Sequence, residues 1–489
     1  MTSRGYFRRT TLLTIGLLAF LVGLAIARRV RVDIAVLIVV TVVLLIPLLW
    51  RRNILSLLSI TVIGLLVGCW RGTVYMQKLL PYQFLAKKPV TILATATSDS
   101  VYGEKAQITF DVSDIQLVEP YVDDLVGTIG VKGFGEQMIY RGDRVEVQAK
   151  LYPARGSRQA SMTFARIHRV QKGNSVVDKM RREFAAGLQS TVPEPLGSLG
   201  LGILIGQRTT LPSVLNDNLS IVGLTHIVAV SGYNLTIMVN LAHRLAKQRS
   251  KYQATMLTLG LVLLFLAITG SSASIVRAAL VSLLSLWAWY YGRAFKPWLL
   301  ILFSAVLTAG TFPPYLWSDL GWHLSFLAFV GVLILAPLFH ARFLKRKPKI
   351  LVQLFVETMS AQVLTLPIIL FIFGRLSVIA LVANMLVVPL TPIAMALTFV
   401  AGLAGMLAPT LAGWVAWPAT LTMTYMVDVV NILAQLPKAS MVVGIGLWQL
   451  VCAYVLVLLL MVVWWRKAPK NGKIVLNQPA PLTEPVVAD

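Results

Sequence analysis

The chain has 489 residues, of which 57% are hydrophobic and 13% charged, and its mean hydropathy is +0.76. Soluble domains carry about a quarter charged residues, so this composition excludes an ordinary soluble protein and leaves a polytopic membrane protein. The net charge of +24 does not single out a nucleic-acid partner, because cytoplasmic loops of membrane proteins carry an excess of lysine and arginine.

The first 80 residues read as a membrane anchor of three helices. Arg4, Arg8 and Arg9 precede an apolar run, Thr11 to Ala27. Ala25-Ile26-Ala27 has the small residues of a signal-peptide cleavage site, but Arg28-Arg29 and two further apolar runs (Asp33–Trp50, Ile54–Trp70) follow at once and favour an anchor.

Between residues 88 and 172 apolar runs give way to alternation, as in Gln107–Val118, Gly127–Lys132 and Asp143–Leu151. Short alternating strands broken by Gly and Pro predict a small β domain, and about five strands suit an OB-like barrel, an architecture used on oligonucleotides. Its charge is polarised. Asp99 to Asp124 holds seven acids and one lysine, whereas Arg141, Arg144, Lys150, Arg155, Arg158, Arg166, Arg169 and Lys172 crowd the later strands. A basic face of that kind tracks a phosphate backbone, contacts anionic lipid, or is simply solvated.

Residues 175–192 place Val177, Met180, Phe184 and Leu188 on one stripe with charges between, the pattern of an amphipathic helix at a membrane surface. Gly197 to Arg208 is Gly-rich and short for a full crossing, which predicts a re-entrant or broken helix. Apolar segments then recur to Trp465. Basic clusters fall at every second connection: Arg244–Lys251, Arg293–Lys296, Arg342–Lys349 and Arg466–Lys473. That alternation predicts about twelve crossings, with both termini cytoplasmic and the β domain extracytoplasmic; Arg28, Arg29 and Arg31 fall on the outer side against the rule. Residues 468–489 are polar and Pro-containing and read as a disordered cytoplasmic tail.

Polar groups at membrane depth are costly and mark functional sites or interhelical bonds. The densest set lies in Gly223–Met238 and just beyond: His226, Ser231, Tyr233, Asn234 and Asn240. If Leu219 to His243 is one helix, His226, Tyr233 and Asn240 share a stripe. Further on stand Arg277, with no local acid; Asp319 and His323 at i, i+4, where Asp319 also suits a helix N-cap; Trp322 and Phe326; and Arg375 and Asn384 among Pro and Gly interruptions. Cys69 and Cys452 are far apart and the histidines lack ligand spacing, so no metal or cofactor is predicted. Ala229-Val-Ser-Gly232 faintly resembles the Gly-x-Ser-Gly of rhomboid-type intramembrane proteases, with Ser231 as nucleophile and His226, His243 or His323 as base. A small-molecule transporter is a third reading, although no internal repeat is visible.

In order, Gly197–Arg208 with Gly223–Met238, then Thr269-Gly with Arg277-Ala, Asp319-x-Gly-x-x-Leu-Ser-Phe326, and Thr365-x-Pro with Phe373-Gly, Ser377, Asn384 and Pro389 resemble the competence domain of the ComEC-type DNA-uptake channel family, over about residues 194–466. The resemblance implies a membrane channel that carries single-stranded DNA into the cytoplasm during transformation. It assigns His226, Ser231, Tyr233, Asn234, Asn240, Arg277, Asp319, Trp322, His323, Arg375 and Asn384 to the DNA path, with no covalent chemistry. Two departures stand out. Tyr233-Asn234 replaces the family's usual Leu-His, and the H-x-H-x-D-H motif of the metallo-β-lactamase-like domain found in many members is missing. The resemblance therefore implies that a nuclease, like a DNA receptor and a cytoplasmic ATPase, is a separate partner, the last because no Walker-type loop occurs. Monomer and homodimer both stay open.

Overall fold

The computed structural model describes residues 9–467 apart from 51–53, 103–106, 135–137, 155, 208–209, 229–231, 246–249, 271–272, 293–296 and 344–349. The N-terminal helices are α1 (Arg9–Ile26), α2 (Ile34–Trp50) and α3 (Ile54–Lys78), followed by a short α4 (Leu80–Leu85). The pair Gly64 and Gly68 lets α3 lie against α1 backbone to backbone, since a methyl on Gly68 would sit 2.1 Å from the Phe20 carbonyl oxygen.

The strands are β1 (Pro89–Ala96), β2 (Val101–Tyr102), β3 (Gln107–Glu119), β4 (Asp123–Leu125), β5 (Ile129–Phe134), β6 (Arg144–Pro153) and β7 (Ala160–Gln171). Five of them close on themselves in the order β1-β6-β7-β5-β3 and back to β1. Every rung of that ring is antiparallel except β5 with β7, which run parallel. The alternation seen in sequence is the inside–outside alternation of this barrel. Ile92, Phe110, Leu117, Val131, Val147 and Met162 fill the interior, and Tyr82 and Leu85 of α4 close it.

The barrel is fastened to helices at several points. Asp99, buried, receives a forked pair from Arg181 (Nη1–Oδ1 3.0 Å, Nη2–Oδ2 2.5 Å) and the Arg141 amide (2.9 Å). The Arg141 guanidinium donates to the Ile268 carbonyl at 3.0 Å. Burial and the neighbouring Arg181 cation pull Arg141 below the usual arginine range. Gln159 donates to the Tyr75 hydroxyl (3.2 Å), and Ser318 Oγ donates to the Gly156 carbonyl (2.5 Å).

Arg181 belongs to α5 (Val176–Thr191), the helix predicted to lie on a membrane surface. Its apolar stripe meets protein on one part. Phe184 and Leu188 pack into protein, and Gly187 abuts Gly402 and Met406 of α18 (Thr391–Leu407, one of the helices set out below); Val176 and Met180 stay exposed.

The remaining helices carry the motifs. After α6 (Leu196–Ile205) come α7 (Ser213–Ile221), α8 (Thr225–Val228), α9 (Gly232–Leu245), α10 (Lys251–Thr269), α11 (Ala273–Tyr290), α12 (Pro297–Thr311) and α13 (Pro314–Ser318). Next, α14 (Leu320–Val330) runs through a π turn at Gly331–Leu335 into α15 (Ala336–Phe343), and α16 (Ile350–Phe373) leads to β8 (Arg375–Ser377). Then come α17 (Ala380–Val387), a 3₁₀ turn, α18, α19 (Pro409–Ala434), β9 (Ser440–Val442) and α20 (Leu447–Lys467). β8 and β9 pair antiparallel, a ribbon absent from the sequence reading.

Seven helices among the described residues are long and apolar enough to cross a membrane. Four shorter apolar helices accompany them, one being α6, whose length of 10 residues agrees with the broken-helix expectation.

Asp99→Ala leaves Arg181, only 8% exposed, as a buried unpaired cation. We expect a loss of about 3–5 kcal/mol, read as a lower melting temperature of the purified protein; Asp99→Leu combined with Arg181→Met should recover most of it.

Candidate functional site

The central motif is not one helix. α7 stops at Ile221, Gly223 adopts φ +75°, and α8 and α9 begin at Thr225 and Gly232. Of the stripe expected of His226, Tyr233 and Asn240, His226 lies on α8 and the other two on α9, and residues 229–231 between them lie outside the described residues. Gly223 is needed there twice over: for its left-handed backbone, and because a Cβ would stand 2.9 Å from that of Ala380. His226 is exposed on α8. Ser231 lies outside the described residues, as do the side chains of Tyr233, Asn240 and His243.

Asn234, 2% exposed, donates Nδ2 to the Ile203 carbonyl at 2.8 Å. Ile203 is in the last turn of α6, where helix carbonyls lack intrahelical partners. Gly206, left-handed, caps the Gly202 and Leu201 carbonyls, and Asn234 takes the next one. The residue thus joins α9 to the broken helix.

Arg277 is the most unusual side chain of the set. It is 8% exposed, on α11, against α14. Its Nε donates to Ser325 Oγ at 2.8 Å, and that hydroxyl also meets Ser274 Oγ at 3.1 Å. The guanidinium carbon lies 4.9 Å from the ring centre of Phe329 and 5.6 Å from that of Phe326. The three ion pairs among the described residues join Arg158 to Asp111, Arg181 to Asp99 and Arg182 to Asp143, so none serves Arg277. Its fork reaches the start of α9, where Nη2 lies 3.0 Å from the place a Cβ on Gly232 would occupy. A guanidinium has five N–H donors, and the bond to Ser325 uses one. Ring faces hold such a cation with roughly 0.5–2 kcal/mol each without using its N–H donors. The start of α9 adds its positive dipole end to the same place.

Other predicted residues are engaged elsewhere. Asp319 caps α14, accepting from the Trp322 amide at 2.6 Å, and the His323 ring bonds the Asp319 backbone carbonyl at 2.7 Å. Trp322 and Phe326 are buried; the Trp322 indole donates to Thr308 Oγ1 at 2.9 Å. Asn384 donates to the Ala380 carbonyl one turn back, at 2.8 Å. Arg375 is exposed on β8. Sequence reasoning named Arg277 but missed Ser325 and Phe329, which face it only through the register of α11 against α14.

On the barrel, Arg144, Lys150 and Arg166 are exposed on the outward face of β6 and β7, and Arg144 donates to Gln116. Arg158 is instead paired with Asp111 at 2.6 Å, and Arg141 is turned into the junction described above. Arg155 and the Arg169 side chain lie outside the described residues.

A family model described as "Competence protein" matches residues 203–468, more than half of the chain. The chain belongs to the competence protein family. The match takes in α9, α11 and α14, so the Arg277 seat lies wholly within it, and the ComEC-type resemblance is borne out. ComE operon protein 3 of Bacillus subtilis (strain 168) is 25% identical over 218 residues, which are 43% of this chain and 26% of that relative. This competence protein therefore spans about a quarter of the length of the curated relative it matches. No solved structure matches it.

Asn234→Asp keeps shape but turns a donor into an acceptor aimed at a carbonyl oxygen. It should cost about 1–3 kcal/mol in thermal unfolding, more than Asn234→Ser. Gly232→Ala should push Arg277 from its seat, seen as proteolytic cleavage between α9 and α11 at unchanged expression.

Proposed function

We propose that this competence protein forms the membrane channel by which single-stranded DNA reaches the cytoplasm during natural transformation. The observation that carries the reading is the Arg277 seat: a buried guanidinium without a carboxylate among the described residues, opening on a helix N-terminus inside the family region. That arrangement suits a passing phosphate, which gains charge-assisted hydrogen bonds and then moves on.

On this reading residues 1–80 anchor the chain, 88–172 form the extracytoplasmic domain, 194–466 form the channel, and about twelve crossings leave both termini in the cytoplasm. The closed five-strand ring, with its single parallel rung between the third and fifth of its strands, supports an OB-like barrel. A DNA receptor, a nuclease and a cytoplasmic ATPase are the partners that such transport calls on, and the channel itself does no covalent chemistry.

The test is import of labelled linear DNA into cells lacking the gene and then complemented. Deletion should abolish the cytoplasmic signal while surface-bound DNA remains. Arg277→Ala should lower import roughly tenfold at equal membrane abundance, and Arg277→Lys should keep part of it. Undiminished import in the deletion strain rejects the channel, and normal import by Arg277→Ala removes that residue from the path.

A further inference from the structure

The barrel carries a feature that its fold does not require. β7 pairs with β5 through Lys132↔Thr163 and then Gly133↔Ala165, so Phe164 is an extra residue in the strand. It adopts φ +56°, in the left-handed region, and is 75% exposed. Bulky residues rarely take that conformation, and a bulge of this kind ordinarily uses glycine. Gly133 accommodates the bulge from the other side, since a Cβ there would come 2.7 Å from the Ala165 carbonyl oxygen. The bulge turns the Phe164 ring outward beside Phe134, itself 48% exposed, with ring centres 6.1 Å apart and planes 33° apart.

Cations flank the pair. Lys132 is two residues before Phe134 on the same outward side of β5, and Arg166, opposite Phe134 in register, is exposed on β7. The outward side of β6 continues the set with Lys150 and Arg144. Two aromatic faces among spaced cations are the elements by which proteins hold single strands, rings against bases and cations against phosphates. An exposed ring on a strained backbone at Phe164, beside the exposed ring of Phe134, gives no folding benefit, so the pair fits a ligand with flat apolar faces and a polyanionic chain. We propose that Phe134 and Phe164 form a base-stacking platform, with Lys132 and Arg166 as its phosphate contacts, that holds single-stranded nucleic acid on the outer face of the barrel. The proposal rests on the uptake reading above and adds a site remote from Arg277.

The full-length protein in lipid nanodiscs is titrated with a fluorescent oligothymidylate of about 20 nucleotides and with an abasic oligomer of equal length and charge. Wild type should prefer the base-bearing strand by roughly tenfold or more. Phe134→Leu with Phe164→Leu keeps apolar bulk and should abolish that preference while leaving the salt dependence intact. Lys132→Gln with Arg166→Gln should keep the preference and shallow the salt slope by about 1.4. A leucine variant that still prefers the base-bearing strand overturns the platform but leaves the uptake reading standing. A wild type that binds neither strand counts against both. Loss of nanodisc stability or of anionic-vesicle association in the leucine variant, with DNA binding unchanged, assigns the rings to lipid and overturns the proposal.

Discussion

Everything distinctive about the competence region follows from keeping one guanidinium in an apolar helix packing. A cation there has to be solvated by protein, and among the described residues Arg277 is solvated by a hydroxyl and two ring faces rather than by a carboxylate. That choice shapes its neighbours. Position 232 carries no side chain, α14 presents Ser325 and Phe329 on one face, and the π turn at Gly331–Leu335 follows directly on that face. A carboxylate partner would have neutralised the site; aromatic faces support the charge without cancelling it.

The broken helix serves the same end by another route. Crossing segments satisfy their backbone internally, and an interruption leaves carbonyls and amides that must find partners in protein. Here the end of α6 is covered by Gly206 and Asn234, and α7 is held by a bond from Asn218 to Asn431 of α19 at 3.0 Å. Among the polar residues of the motif, Asn234 thus covers broken backbone, Asn384 bonds within its own helix, and Arg277 does neither.

Much of the fold was legible because strands and helices bury in proportion to their period. The alternation at Gln107–Val118 and Asp143–Leu151 became β3 and β6 almost residue for residue. β7 was harder, because the extra residue at Phe164 shifts the inside–outside phase half-way along. Gly223 packs closely on Ala380, far along the chain, and the ribbon of β8 with β9 joins segments of three residues that carry no strand signal of their own. In the site, Arg277 was visible as a lone cation, and Asp319 as a helix cap. The burial of Trp322 and Phe326 beside Ile301, Ala305 and Thr308 was not legible, because apolar periodicity does not tell a ring facing a cavity from one facing a neighbouring helix.

The fastenings of the barrel have a mechanical meaning. Arg181, Ile268, Tyr75 and Ser318 belong to four different helices, among them α3 near the N-terminus and two in the competence region. A body pinned at four separated points has no free rotation left. The outer face of the barrel then keeps a fixed bearing and a fixed separation from Arg277, unlike a module on a flexible tether, whose reach is a distribution. A strand that engages both places at once has to bridge one set span. Its grip should therefore change abruptly at a threshold length rather than rise smoothly with each added nucleotide.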